Sequence, residues 1–278
     1  MNKGGKQSNF IDRSQACLVV NGVIYSFCIG KPLVQSVTLH PAKGGMRPQA
    51  RRLQAYFLKH ATDWLRIRAG LQPYYVYVWE NPLDGGLHSH ILIHVPLQIW
   101  PDFRLAADRW VEAACASYGG YYQPGIIRIS NVYGFEEYAN GTSLLFDFLN
   151  RGVRGSLNYL LKGIDGNTED ILDMVRGVGI ERSSVTQLTR HPNQQGMIVG
   201  KRVGCSVSLS PTRQKFPSIA FDRHRNLRMS GPEERALSLL ASVGLEMATA
   251  RGESQNYAGH PLRSQPLGRQ PNARGVCD

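Results

Sequence analysis

Apolar residues along this chain recur with two different periods. Leu33–Leu39 (LVQSVTL), Tyr74–Glu80 (YYVYVWE), Leu87–Val95 (LHSHILIHV) and Gly125–Tyr133 (GIIRISNVY) are short runs rich in β-branched and aromatic residues, and they predict four strands. Between the first two lies a stretch opened by Pro48 and closed by Gly70, in which Leu53, Phe57, Ala61, Trp64 and Leu65 recur at helical spacing. Between the last two, Asp102–Tyr118 carries Phe103, Ala106, Ala107, Trp110, Val111 and Ala114 as one apolar stripe, ended by Gly119-Gly120. The order strand, helix, strand, strand, helix, strand predicts an α+β fold. It is the split βαβ (ferredoxin or RRM-like) pattern, an antiparallel sheet with its helices on one face.

The flanks read differently. Residues 1–15 are polar and predict a loose arm. Val20-Asn21-Gly22-Val23 predicts a tight hairpin, because Asn-Gly supplies the two positive-φ positions of a type I′ turn. Ser156–Lys162, Leu144–Asn150 and Thr168–Arg176 read as short helices. Residues 183–216 are basic and irregular, Pro232–Ala250 predicts a helix, and residues 251–278 have no periodicity and predict a disordered tail. The expected organisation is an arm and hairpin over 1–32, a principal domain over 33–182, a basic extension with a C-terminal helix over 183–250, and the tail.

Composition narrows the function. The 278 residues carry a formal net charge of +11, a balance that favours a polyanionic partner. No run approaches the roughly 18 apolar residues of a membrane span; the nearest, Ala16–Gly30, is interrupted by Asn21, Gly22 and Ser26. The same interruptions, with Asp12 upstream, argue against a secretory signal, so a cytoplasmic protein without membrane attachment is expected. The five cysteines form no CxxC pair and predict neither a zinc knuckle nor a disulfide framework.

The residues that could carry chemistry cluster at the central hairpin. His88 and His90 share one face of a strand, because side chains alternate. If the loop NPLDGGL closes with Glu80 opposite His88, a carboxylate and two imidazoles meet on one patch, a donor set suited to a divalent ion. A slip of one residue sends Glu80 to the other face. An H-x-H pair is equally compatible with half-buried polar groups, and His94, on the same face, reads as structural. Tyr159 and Lys162 are neighbours on a helix face at i, i+3. A cation beside a phenol favours nucleophilic attack, although a tyrosine at such a place is also common core material.

Taken in order, LVQSVTLHP (Leu33–Pro41), Glu80 with His88-Ser89-His90, and Tyr159-Leu160-Leu161-Lys162 resemble the three motifs of the HUH endonuclease superfamily. The resemblance is closest to the rolling-circle replication initiators (Rep proteins) of plasmids and phages, and covers about residues 33–163. It implies that Glu80, His88 and His90 hold Mg²⁺ or Mn²⁺, and that Tyr159 attacks single-stranded DNA to leave a 5′-phosphotyrosine and a free 3′-OH. Lys162 would assist, and a host polymerase would extend the 3′-OH. A host helicase is implied too, since no P-loop motif is present. Two departures are visible: Ser89 stands where the family places a hydrophobic residue, and Gly155 where a second tyrosine would be, which implies the one-tyrosine type. A single-tyrosine transposase, a relaxase, a water-using nuclease, or a DNA-binding regulator with the same fold are the alternatives. Arg47, Arg51, Arg52, Lys201 and Arg202 are the candidate phosphate contacts, to single-stranded or hairpin DNA at a replication origin.

Overall fold

The computed structural model describes residues 7–82, 86–132, 135, 152, 154–164 and 196–213. The helices expected over Leu144–Asn150, Thr168–Arg176 and Pro232–Ala250, and the tail, lie outside the described residues.

Strand β1 (Gln7–Ser8) leads into helix α1 (Arg13–Cys28), and β2 (Gln35–Leu39) leads through single helical turns at Pro41–Gly44 and Arg47–Gln49 into α2 (Ala50–Ala69). The central hairpin is β3 (Tyr75–Glu80) and β4 (His88–Ile93), followed by α3 (Trp100–Ser117) and β5 (Ile127–Asn131). Helix α4 (Arg154–Leu161), β6 (Ile198–Val199) and β7 (Val203–Cys205) complete the described elements. The architecture is α+β, with a five-stranded antiparallel sheet in the order β5-β2-β4-β3-β7. The four expected strands are present, and in each strand–helix–strand unit the two strands are separated by a strand of the other unit.

Strand parity divides the core in two. Val37, Leu39, Ile91 and Ile93 point to one face, where they meet Leu53, Phe57, Ala61 and Leu65 of α2 and Phe103, Ala107, Val111 and Ala114 of α3. Trp64 and Trp110 close the rim of this layer as edge-on aromatic partners of one another and of Phe103. Helix α2 ends where expected: Gly70 is left-handed at φ 62°, and its N–H and that of Leu71 return to the carbonyls of Arg66 and Leu65.

The opposite face is also covered, which corrects the expectation of helices on one side only. Val76, Val78, Leu92 and Val203 pack there against Val19, Val20 and Val23 of α1 and Leu157, Leu160 and Leu161 of α4. The Asn21-Gly22 hairpin does not form; both residues lie inside α1. Asp12 caps that helix by accepting from the Gln15 N–H at 2.9 Å, while the Gln15 side chain accepts from the Asp12 N–H. Gly22 is required by packing rather than by a turn. A Cβ there would lie 2.8 Å from Val76 Cγ1, so α1 crosses β3 closely at that residue. The tight-turn signal is local, whereas the stripe Ala16, Val19, Val20, Val23 and Phe27 buries a whole helix face, and tertiary packing decides.

The expected division at residue 183 also changes. Within the basic extension, β7 pairs with β3 as an edge strand of the main sheet, and β6 pairs with β1. Residues 7–32 and 196–206 are therefore parts of the same fold as the central sheet. No helix among the described residues is long and apolar enough to cross a membrane.

Candidate metal and nucleophile site

The hairpin closes in the register that brings the three ligands together: Glu80 pairs directly with His88, and Val78 with His90. Glu80, His88 and His90 are all buried on the α1/α4 face, and one donor atom from each falls within 4.8 Å of the others. Glu80 Oε2 is the hub. It lies 3.2 Å from His88 Nε2, 3.4 Å from His90 Nε2 and 2.8 Å from Lys162 Nζ.

Second contacts fix the imidazoles. His88 Nδ1 donates to the Gly86 carbonyl at 2.8 Å, which orients the ring with Nε2 toward Glu80. Thr38 Oγ1, 3.1 Å from His90 Nδ1, is placed to accept its proton and leave Nε2 as a donor atom. His90 Nε2 is buried and makes no hydrogen bond. One carboxylate and two imidazole nitrogens within 4.8 Å of one another form a borderline donor set that could hold a metal ion. The donor set alone does not fix which ion that is.

The electrostatics agree with a cation-seeking site. Burial raises the Glu80 pKa, but the two imidazoles and the Lys162 charge outweigh burial and hold the carboxyl far below its usual range. Burial lowers His90, and the Glu80 carboxylate only partly restores it, so the ring stays neutral and available. Helix α4 brings the remaining groups. The Tyr159 ring meets the His90 ring edge-on at 4.6 Å between centroids, and Lys162 Nζ stands 4.1 Å above the Tyr159 ring. Tyr159 is 48% exposed, so it is not core material and its ring is open to a substrate. Contacts with the N-terminal region seat α4: Ile11 N donates to the Gly163 carbonyl at 2.7 Å, and Leu157, Leu160 and Leu161 are buried in the α1 layer.

Two residues escaped the sequence reading. Thr38 orients His90, and His40 stacks on His88 at 4.9 Å between centroids. Both lie in the LVQSVTLHP run at alternate positions facing the histidines, and that spacing was the available signal. His94 is structural, as expected: Nδ1 donates to the Pro32 carbonyl at 2.8 Å, outside the ligand group. Ser89 faces α2, fully buried, and its hydroxyl has no hydrogen-bond partner.

The basic candidates divide. Arg202 is not available for a phosphate. It is fully buried and donates to Ser8 Oγ, to the carbonyls of Ser8 and Gly196 at 2.6 Å each, and to that of Trp79 at 3.3 Å. Burial lowers its pKa to about 10, and the Glu80 charge opposes that shift. Arg51 is also engaged: its guanidinium donates to the carbonyls of Lys201 at 2.9 Å and Val199 at 2.6 Å, and lies 5.3 Å from the Trp79 ring centroid. Both arginines fasten the β6–β7 segment, because carbonyls that find no strand partner take guanidinium donors instead. Arg47, Arg52 and Lys201 remain exposed.

Comparison with protein-family models, with curated proteins and with solved structures finds no match to this chain.

Proposed function

We propose that this chain is a metal-dependent nickase and strand transferase for single-stranded DNA, of the one-tyrosine HUH type, that initiates rolling-circle replication of a plasmid or phage. The observation that carries the reading is the convergence of Tyr159 and Lys162 on Glu80, His88 and His90. A solvent-accessible phenol, a cation and a divalent-ion donor set share one patch. The strand order β5-β2-β4-β3, which is that of a ferredoxin or RRM-like split βαβ sheet, supports it.

Glu80, His88 and His90 would hold Mg²⁺ or Mn²⁺, which supplies Lewis-acid polarisation of a bound phosphate. Tyr159 Oη attacks the phosphorus, the bond to the 3′ oxygen breaks, and the 3′-OH departs with a proton while a 5′-phosphotyrosine remains. Lys162, already beside the Tyr159 ring, offsets the charge gathering at the phenolate and phosphate. Attack by a second 3′-OH reverses the step and joins strands without external energy. A host polymerase extends the free 3′-OH, and a host helicase opens the duplex.

The test is adduct formation. The purified chain is incubated with Mn²⁺ and a pool of single-stranded DNA that includes hairpins. An SDS-resistant protein–DNA species is expected, with Tyr159→Phe reducing it about a thousandfold or more and His88→Ala or His90→Ala abolishing it in folded protein. Cleavage that persists in Tyr159→Phe without an adduct means a water-using nuclease. DNA binding with no cleavage in wild type means a regulator.

A further inference from the structure

A second cluster of unpartnered charge lies on the same sheet face as the ligand group, at its β5 edge. The register places Arg128, Thr38 and His90 in one row across β5, β2 and β4, all on the side of the ligand group. Adjacent strands are about 4.8 Å apart, so the Arg128 backbone lies about 10 Å from that of His90. Lys43, on the turn Pro41–Gly44 that follows β2, reaches the same place. A Cβ at Gly125 would lie 3.1 Å from Lys43 Nζ and 3.8 Å from Arg128 Nε and Nη2. The two side chains thus converge over a glycine that leaves them room. Neither Lys43 nor Arg128 forms an ion pair among the described residues, and Arg128 is exposed. Two facing cations repel, so holding them together without a carboxylate suits a visiting anion.

The turn that carries Lys43 is held firmly. His40 N donates to the Ile126 carbonyl at 2.7 Å, Tyr121 N to that of Gly44 at 3.1 Å, and Gln123 Nε2 to that of Lys43. Gly120 fits beneath Met46, where a Cβ would collide at 2.4 Å. Tyr121 then lies against Gly45, with Cε1 3.2 Å from where a Cβ would stand, and is 58% exposed. His40 links this rim to the ligand group. Its ring stacks on His88, and burial, His88, Lys43, His90 and Arg128 together lower its pKa to about 4.

We propose that Lys43, Arg128 and Tyr121 form a ledge that holds the single strand beside the ligand group, the two cations on successive phosphates and the tyrosine stacked on a base. This rests on the nucleic-acid reading above. Charge complementarity, an exposed aromatic at the same turn, and the continuity of Arg128 with the ligand group across one sheet face select this occupant.

The experiment measures binding of a labelled mixed-sequence single-stranded oligonucleotide by fluorescence anisotropy over a salt series, without added metal. For Lys43→Ala with Arg128→Ala, the expected result is at least a tenfold loss at low salt. The slope of log K against log salt should become shallower by about 1.4, from roughly 0.7 per phosphate on a single strand. Tyr121→Ala should weaken binding roughly five- to hundredfold with the slope unchanged. Lys43→Arg with Arg128→Lys should restore affinity and slope. Mn²⁺ affinity by calorimetry and the melting temperature should match wild type in every variant, which separates a lost contact from a lost fold. Wild-type affinity and slope in the double alanine variant overturn the ledge. A wild-type chain that binds no single strand at low salt overturns the nucleic-acid reading beneath it.

Discussion

The two faces of the central sheet are built from the same strands and have opposite characters. Toward α2 and α3, Val37, Leu39, Ile91, Ile93 and Trp79 form a dry layer, and Trp79 satisfies its indole N–H on Gln54 Oε1 at 2.9 Å. Toward α1 and α4, residues one position along in the same strands are Thr38, His90, Leu92, Val78 and Glu80. That face is apolar beneath α1 and the leucines of α4; where the strands run out beyond them, the side chains become ligands and cations. Period-two alternation lets each strand devote one set of positions to stability and the other to chemistry. The two sets can therefore be attacked separately.

The dry face should dominate stability. Phe57→Ala removes a fully buried ring from the α2 layer and should cost about 3–5 kcal/mol by denaturant unfolding. Mn²⁺ affinity, measured well below the lowered melting temperature, should not move. The site face should make stability depend on acid. His94 is buried with its pKa lowered by burial to about 4, partly opposed by its bond to Pro32. A group whose folded pKa lies below its unfolded value holds fewer protons when folded, so stability is full above pH 6.5 and falls as pH drops towards 4. This histidine alone accounts for about 3 kcal/mol over that window. His94→Gln should flatten the pH dependence of the melting temperature.

Smaller effects sharpen the contrast. Thr38→Val keeps the shape of its side chain and removes the acceptor beside His90 Nδ1, so Mn²⁺ affinity should fall about 10- to 100-fold with little change in melting temperature. Ser89→Ala is the smallest and the opposite in sign. It deletes an unpaired hydroxyl from the dry face, and unfolding should show a gain within about 1 kcal/mol with unchanged metal affinity. A large loss of affinity there would mean that the two faces are coupled through the backbone between the histidines.

Local period and end signals were enough to place the four strands, the two long helices and the alternation that puts His88 and His90 on one side. Opposing Glu80 to His88 needed the hairpin register, which the loop permitted and the structure adopts. Other features depend on contacts between segments far apart in the chain. Asn21-Gly22 carries a turn signal that helix packing against Val76 overrides. Arg202, on a basic segment, is taken into the interior by carbonyls from Ser8 and Trp79, residues distant in the chain, together with that of nearby Gly196. Gly204, in the stretch expected to be irregular, lies under the Tyr77 ring in an edge strand, where a Cβ would meet the ring at 2.5 Å. Seating Tyr159 against His90 likewise depends on α1, whose own helical character was masked by its Asn-Gly pair. Local periodicity reports which residues share a face. Which face becomes buried, and what lies across from it, is set by long-range packing that no short window of sequence contains.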